Sequence, residues 1–311
     1  MAAIHKGNIA MTRVRIAVAA ISAMLAAAPL AAQVGVRAST AAPATTNEDP
    51  IIVQGRKKEL VQALRQLVQP SAHEQLARFE DKICPMVIGM PRDWTPRLTK
   101  IIRDNVIAAG GTLQPEGCKP NALAIFIDQP RELVGALHKD APFFFTMTPR
   151  TFNQFAALPG PVWSWHVTDM RSRDGVQLAP GTMMTGEGDF AVVKNASASR
   201  LYSNIRDDML VGFVVIDRQR TVGKSLRQLG DLATMHLLLD VRQNAGAMEK
   251  GSILALFEPG DTPPLERMSR FDKGALTGFY TQRENNRTAS QQRENIAEAI
   301  RRGAGEKPDQ R

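Results

Sequence analysis

Residues 209–217 read MLVGFVVID, and a second, longer apolar segment follows at residues 223–241. The uninterrupted apolar run of the first segment is typical of a central strand that is covered on both faces. The second segment places Leu226, Leu229 and Leu237 on one stripe at helical spacing, which predicts an amphipathic helix. A central strand that leads into a core helix is therefore the pair of elements around which the rest of the fold is predicted.

Further strands are predicted upstream of this pair. Three segments have the length and apolar content of strands: 84–90, 121–128 and 162–169. Helices are predicted between them, since Thr95-Pro96 and Thr148-Pro149 each combine a capping residue with a proline, as at many helix starts. The chain thus runs through helices, then a group of strands, then helices again. This order predicts an α+β fold in which helices pack on a mostly antiparallel sheet.

The amino terminus has the parts of an export signal. Arg13 and Arg15 precede the charge-free apolar run 16–30, and the small residues Ala31 and Ala32 follow it. The apolar run is short for a helix that spans a bilayer, which needs about 20 residues. The protein is therefore predicted to be periplasmic or secreted, and to meet the membrane only transiently through its signal peptide. A helix that stays uncleaved and anchors the protein in the inner membrane is the alternative.

The prediction for the whole chain is one globular domain with three flanking parts. The α+β domain covers residues 71–280, and the flanking parts are a signal peptide (1–32), a linker with a short helix (33–70) and a polar tail, either a frayed helix or disordered (281–311). Translation from Met1 and translation from Met11 both stay open, because residues 11–15 form a compact basic start by themselves.

The formal net charge of +8 is distributed in a way that argues against nucleic-acid binding. Three of these charges lie in residues 1–32 and two in 281–311, so that residues 33–280 carry only +3. Aromatic residues make up 5% of the chain, and the basic residues are dispersed among acidic ones. A nucleic-acid site needs a clustered basic face with interleaved aromatic residues. No nucleic-acid partner is predicted.

Cys84 and Cys118 are the two cysteines of the chain. An export signal implies an oxidising compartment, which favours pairing them in a disulfide. The bridge would tie the first predicted strand to the loop before the second. Closing that loop would stabilise the fold by about 3–4 kcal/mol on the chain-entropy description of disulfides. Two buried free thiols are the alternative.

The alternation of VWSWHVTD separates two kinds of side chain. Trp163 and Trp165 fall on one face of the predicted strand, and Ser164 and His166 fall on the other. Alternating tryptophans are typical of a core face, with a sugar-binding groove as the alternative. His166, with Asp169 nearby, could orient a proton transfer, although a sheet histidine beside an acid at the strand end is the simpler interpretation.

The sequence contains no complete pattern for a metal site or for a catalytic nucleophile. His236 and Asp240 lie four residues apart on the predicted helix, so that one helix face would present two ligands. A zinc protease also needs a Glu after the first His to activate water, and Leu237 occupies that position. Neither an HExxH pattern nor a GxSxG elbow occurs in the chain. No metal and no cofactor are predicted, and the weak catalytic candidates are His166, Asp169, Asp231, His236 and Asp240.

Five segments carry a resemblance to a group of uncharacterised exported proteins of Gram-negative bacteria. They are FEDKICPMVIGMP at 79–91, CKPNALAIFI at 118–127, WSWHV at 163–167, SRLYSNIRDDM at 199–209 and the long segment 215–241. The resemblance covers most of the chain after the predicted signal peptide. It implies an exported protein and implies no particular chemistry.

The order of elements also resembles an exported family of unknown function with a zincin-like layout. The corresponding parts would be the strand 209–217, the helix 223–241, the turn 252–254 and the helix 271–280. In that family the helix bears the acidic metal-site residue, whereas residues 228–232 read QLGDL in this chain. The resemblance therefore implies a relative without the metal site.

Three functions are compatible with these patterns. The first is an exported soluble protein without catalysis, which binds an envelope protein, a glycan or a small ligand. The second is a hydrolase with an unrecognised or degenerate zincin-like site that includes His166, Asp231, His236 and Asp240. The third is the anchored envelope protein. The first is the preferred interpretation, because no nucleophile with a partnered base is identifiable.

Overall fold

A computed structural model describes residues 57–182, 189–192, 202–242, 251–259, 263–283 and 285–303, with backbone alone for 179–182 and 189–192. The predicted signal peptide, residues 33–56 and the carboxyl-terminal residues 304–311 lie outside the described residues. All described residues belong to one compact unit.

The described residues form seven α-helices and six strands. In chain order these are α1 (Lys57–Leu67), β1 (Pro85–Ile88), α2 (Thr95–Ala109), β2 (Ala122–Ile127), α3 (Pro130–Asp140), α4 (Pro149–Ala156), β3 (Val162–Ser172), β4 (Ala179–Thr182), β5 (Asp189–Val192), β6 (Ile205–Asp217), α5 (Leu226–Leu238), α6 (Arg270–Tyr280) and α7 (Ala289–Gly303). Short 3₁₀ helices cover Pro142–Phe144, Arg218–Thr221 and Ile253–Ala255.

The main sheet has four strands in the order β1-β2-β6-β3. The α+β class is confirmed, but the sheet is mixed: β1 pairs with β2 and β2 with β6 in parallel, and β6 pairs with β3 antiparallel. Parallel pairing follows from the helix between β1 and β2, because a crossover helix returns the chain to the end of the sheet from which it left. Strands β4 and β5 form a separate antiparallel pair.

Strand β6, which contains MLVGFVVID, lies inside the sheet as its apolar run predicts. Val214 and Ile216 are fully buried in the larger core on one face of the sheet, and Phe213 and Val215 are fully buried on the other. Both faces of β6 are therefore covered, which makes the sheet the middle layer between two sets of helices.

The larger core lies between the sheet and helices α2 and α5, with α1, α6 and α7 packed behind them. Helix α5 begins with a capping box in which Ser225 and Gln228 each bond the other's backbone N–H. Nearly all of its side chains are buried, because it is surrounded by the sheet and by neighbouring helices. Its position brings its last turn against strand β3.

The opposite face of the sheet carries an aromatic cluster. The ring of Trp165 stacks on Phe213 at 4.8 Å on one side and on Phe145 at 4.8 Å on the other. Its indole N–H donates to the carbonyl oxygen of Phe144. The core interpretation of Trp165 is therefore correct, and a sugar-binding groove on this ring is wrong because both of its faces are already covered.

The Cys84–Cys118 disulfide is present, with 6.1 Å between the two Cα atoms. It joins the residue before β1 to the loop before β2, as the sequence predicts. Asn121 reinforces this junction, since its side-chain oxygen accepts a hydrogen bond from the backbone N–H of Cys84 at 2.7 Å. The bridge closes a loop with a sequence separation of 34 residues that contains α2.

The carboxyl-terminal segment differs from the expected polar tail. Residues 289–303 form α7, in which Ile296, Ala297 and Ile300 are buried. The helix lies close to α6, where an added Cβ atom on Gly274 or Gly278 would come within 2.9 Å of a side-chain atom of α7. The described part of 281–311 is thus a packed part of the domain.

Helix α1 also belongs to the domain, although the sequence places it with the linker. Leu60, Leu64 and Leu67 are each at most 1% exposed and lie in the larger core. Among the helices of the described ranges, none is both long enough and apolar enough to span a bilayer.

Candidate functional site

The last turn of α5 meets strand β3 at a polar cluster. Alternation along β3 places Ser164 and His166 on the face of the sheet opposite to Trp165, and this face lies against α5. The His166 Nε2 atom donates a hydrogen bond to the carbonyl oxygen of Leu237 at 2.9 Å. Gly212 on the neighbouring strand makes room for the imidazole, because a Cβ atom there would lie 3.1 Å from its Cδ2.

This hydrogen bond fixes the tautomer of His166. A carbonyl oxygen only accepts, so the proton of a neutral ring must be on Nε2, and Nδ1 is left with a lone pair. The Nδ1 atom is buried and has no hydrogen-bond partner among the described residues. Its nearest charged neighbour is Asp240, whose Oδ1 atom is 3.7 Å away, beyond hydrogen-bond range.

Asp240 reaches this cluster from outside the helix. The sequence predicts a helix through residue 241, but α5 ends at Leu238 because Leu239 adopts an extended conformation with φ −126°. His236 and Asp240 therefore do not present two ligands on one helix face, and that expectation is wrong. The Oδ1 atom of Asp240 accepts a hydrogen bond from Gln69 Nε2 at 2.8 Å.

Ser164 and His236 form a second contact in the same cluster. The Ser164 Oγ atom lies 2.8 Å from His236 Nδ1. Desolvation of the buried ring, and to a smaller degree the charge of His166 when protonated, lowers the pKa of His236 to about 3. An imidazole with such a pKa is a weak base at neutral pH, so this pair lacks the activation that a nucleophilic serine needs.

A cavity of about 420 Å³ opens beside this cluster. Its polar lining includes His166 and Asp240 together with uncharged groups from three other segments: Gln69, Ser71, Thr146 and Gln154. Its apolar lining includes Phe155, Leu158 and Trp165. Among the described residues that line the cavity, there is one carboxylate and no Lys or Arg. A concave site of this size, with few polar groups directed into it, is typical of small-molecule binding.

Asp207, which is buried beside the cavity, forms a hydrogen bond with the lining residue Ser71. The carboxylate of Asp207 accepts hydrogen bonds from Ser71 Oγ and from His73 Nδ1, the latter at 2.9 Å. The backbone N–H of Asp207 donates to Gln75 at 3.1 Å. Because the carboxylate lies between the serine and the histidine, these residues do not form a nucleophile with a partnered base.

Two of the predicted candidates lie away from the cavity. Asp231 is fully buried and accepts hydrogen bonds from Asn105 at 2.8 Å, from Arg227 at 2.9 Å and from the backbone N–H of Met268 at 2.7 Å. Asp169 lies on β3, with its carboxylate 3.4 Å from Arg171 Nε. Neither residue lines the cavity. The structure therefore brings together His166, His236 and Asp240 but separates Asp231 and Asp169 from that site.

The sequence does not single out several residues that complete the site. Ser164 shares the strand face of His166, and this follows from the alternation alone. Gln69 and Ser71 come from the segment after α1, whereas Thr146 comes from the loop before α4 and Gln154 from the second half of that helix. No local pattern connects these distant segments. Among the described residues, no group of three or more His, Cys, Asp or Glu side chains has the arrangement of a metal site.

None of the protein-family models, curated proteins and solved structures that were compared with the chain matches it significantly. The resemblance to exported proteins of Gram-negative bacteria and to the zincin-like layout thus stays a prediction. The site's own geometry is the basis for a functional argument.

Proposed function

We propose that this chain is an exported protein, periplasmic or secreted, that binds a small polar ligand in the cavity beside His166 and Asp240. Of the partners expected from the sequence, the small ligand is the one that a cavity of about 420 Å³ can enclose. The proposal assigns no reaction to the site, because its one serine–histidine contact involves a histidine with a strongly lowered pKa.

The observation that carries this proposal is the Nδ1 atom of His166, which has no hydrogen-bond partner among the described residues. Its side chain is 1% exposed, and a buried polar atom without a hydrogen bond costs about 1–3 kcal/mol. The great majority of buried polar atoms have a partner, so the lack of one among the described residues, in a side chain that lines a cavity, supports a bound ligand as the partner.

The amino-terminal segment supports the exported location. Arg13, Arg15 and the apolar run 16–30 form a signal-like start, and the Cys84–Cys118 disulfide is of the kind that persists in oxidising compartments. Fractionation with mass measurement tests this part: we expect a soluble periplasmic or secreted protein that begins after Ala32. A chain that retains residues 1–32 in the membrane fraction would contradict it.

Ligand binding is tested by thermal unfolding with a panel of sugars, amino acids and small amines. A ligand present at a hundredfold excess over its Kd stabilises the folded state by about 2.7 kcal/mol. We expect at least one compound to raise the Tm of the wild-type protein. The variant Ala72→Trp should abolish that rise, because Ala72 is exposed and lines the cavity, so that an indole there blocks it.

The matched control is Ala108→Trp, which places the same side chain at an exposed alanine on α2, outside the cavity lining. This variant should keep the wild-type response to the compound. The proposal is wrong if no compound raises the Tm, or if Ala72→Trp responds to the compound as strongly as Ala108→Trp does.

An acyl hydrolase is the second candidate, and the 2.8 Å contact between Ser164 and His236 favours it. A fluorophosphonate probe distinguishes the two functions, since it labels serines that a neighbouring base activates. Labelling that is lost in Ser164→Ala would favour the hydrolase, whereas the low pKa of His236 leads us to expect no labelling.

A further inference from the structure

We infer that the ligand of this cavity carries a primary ammonium group, which donates hydrogen bonds to His166 Nδ1 and to Asp240. The inference rests on the proposed function, since it concerns the chemistry of the ligand that the cavity takes. It follows from the orientation of His166, from the charge of the cavity lining and from the aromatic groups.

The first step concerns two hydrogen-bond acceptors, His166 Nδ1 and Asp240 Oδ1, which lie near each other with no donor from the described residues between them. Neutral His166 presents a lone pair on Nδ1, because its Nε2–H is committed to the Leu237 carbonyl. The Asp240 carboxylate presents a second acceptor, with its Oδ1 atom 3.7 Å from that nitrogen. A group with two or three N–H donors can bond both of them, as can a proton placed on Nδ1 itself.

The second step is the charge of the site. Asp240 supplies the one carboxylate of the lining, and no Lys or Arg belongs to the lining. The titratable groups around His166 come from three directions: His236 on α5, Asp240 beyond α5, and the His73–Asp207 pair behind Ser71. His236 is neutral above its pKa of about 3. With His166 neutral, the lining therefore carries a net negative charge that favours a cation.

The third step separates an amine from a neutral sugar. Sugars are held largely by aromatic faces, and both faces of Trp165 are covered by Phe145 and Phe213. Phe155 makes a T-shaped contact with the same indole, with 5.7 Å between ring centroids. The edge of an aromatic ring is the positive part of its quadrupole, so Trp165 does not hold the cation through its π face. Charge-assisted hydrogen bonds to Asp240 and His166 are left as the main source of specificity.

A matched pair of compounds tests this inference. The compounds 4-aminobutan-1-ol and butane-1,4-diol have the same length and differ in one end group, which is an ammonium in the first and a hydroxyl in the second. Both are titrated at pH 8 into the purified full chain with ¹⁵N-labelled histidine, and the His166 Nδ1 resonance is followed by NMR. We expect the amino alcohol to shift this resonance and to bind at least about tenfold more tightly than the diol.

Variants of the two acceptors make the test specific. Asp240→Asn removes the charge but keeps an oxygen for Gln69, and it should weaken amino-alcohol binding at least about tenfold. His166→Gln can keep a donor for the Leu237 carbonyl while it removes the Nδ1 acceptor, and it should weaken binding as well. Asp169→Asn is the control, because it removes the same charge from β3 outside the cavity lining.

Three outcomes would overturn the inference. Equal binding of the diol and the amino alcohol, unchanged in Asp240→Asn, would show a site for neutral ligands and leave the proposed function intact. A protonated Nδ1 in the free protein at pH 8 that no amine changes would show that His166 and Asp240 satisfy each other. An absence of any shift, together with no response in the thermal panel, would overturn the proposed function as well.

Discussion

The two ends of helix α5 each hold a buried polar cluster, and the clusters differ in how completely their hydrogen bonds are made. Near the first turn, Asp231 accepts from Asn105, from Arg227 and from the backbone N–H of Met268. Near the last turn, His166 has one bonded nitrogen and one that has no partner in the described part of the chain, with a carboxylate 3.7 Å away.

The contrast shows how a structural cluster and a candidate binding site can be told apart. A closed network joins α2, α5 and the start of α6, and nothing from outside is needed to complete it. The open cluster lies beside a cavity. The bond of His166 to the Leu237 carbonyl fixes the orientation of the ring, and the Nδ1 atom therefore stays without a partner in the described residues, at a cost to stability. Stability experiments on the two ends should therefore give different answers.

Asp231→Ala should have the largest effect. The substitution leaves the Met268 N–H buried without its acceptor, and it removes the carboxylate that the Asn105 amide and the Arg227 guanidinium both bond. We expect the free energy of unfolding to fall by about 3–5 kcal/mol, measured by urea denaturation.

Asp169→Ala is the control for that measurement. Its carboxylate forms a partly exposed ion pair with Arg171, and such pairs contribute about 1 kcal/mol or less. The comparison fails if Asp231→Ala destabilises the protein no more than Asp169→Ala does, because the closed network would then contribute nothing to stability.

The protonation of His236 should make stability depend on pH, and the size of this effect should lie between those of Asp231→Ala and Asp240→Asn. Its folded-state pKa of about 3 lies below the ordinary value of 6.5, so the unfolded chain binds more protons between these values. The stability contributed by the neutral ring is complete above about pH 6.5 and is lost as the pH falls towards about 3.

His236→Gln should therefore flatten the decline of stability by about 1–3 kcal/mol between pH 6.5 and pH 4. Urea denaturation of both proteins across this range measures the difference, and an NMR titration of the ring checks the pKa directly. A variant that keeps the full wild-type decline would show that His236 is not held neutral by burial.

Asp240→Asn should have the smallest effect on stability. The new amide keeps an oxygen for Gln69, and no direct hydrogen bond to His166 is lost. We expect the free energy of unfolding without ligand to stay within about 1 kcal/mol of the wild-type value. A loss as large as that of Asp231→Ala would make the open cluster a structural one and remove the distinction between the two ends of α5.

Local patterns predicted the main elements of the fold. The apolar run of β6, the alternation of β3 and the helical stripe of α5 all recur in the structure. The parallel pairing was missed, because the direction of a strand depends on where its crossover helix packs and not on its own residues. The end of α5 was misplaced by three residues, since Leu239 and Val241 continue the apolar pattern beyond the last helical residue, Leu238.

The packing of α7 into the domain was missed for a different reason. Its mean composition is polar, and part of its packing relies on a close approach to the small residues Gly274 and Gly278 of α6. A buried helix face is normally recognised by large apolar side chains at helical spacing. The contact of α7 with α6 depends instead on glycines of α6, which have no side chain. The sequence of α6 alone, or of α7 alone, does not indicate that the two helices pack against each other.

The site could be predicted only in part. Ser164 and His166 share a strand face, so their proximity follows from the sequence. The contact of that face with the end of α5 requires the whole fold, because β3 and α5 are separated by more than fifty residues. The unpartnered nitrogen of His166 depends on a carbonyl in this distant segment, and no sequence pattern indicates it.

The packing of α1 against α7 has a consequence for the time course of synthesis. Arg293 on α7 donates to the carbonyl oxygen of Val68 at 2.9 Å, and Gln292 bonds both the N–H and the carbonyl oxygen of Leu76. Helix α1 also packs directly against α7, so that the first helix of the domain is covered by the last one. A ribosome must complete nearly the whole chain before this core can close, so the first helix of the domain waits for the last one to be synthesised.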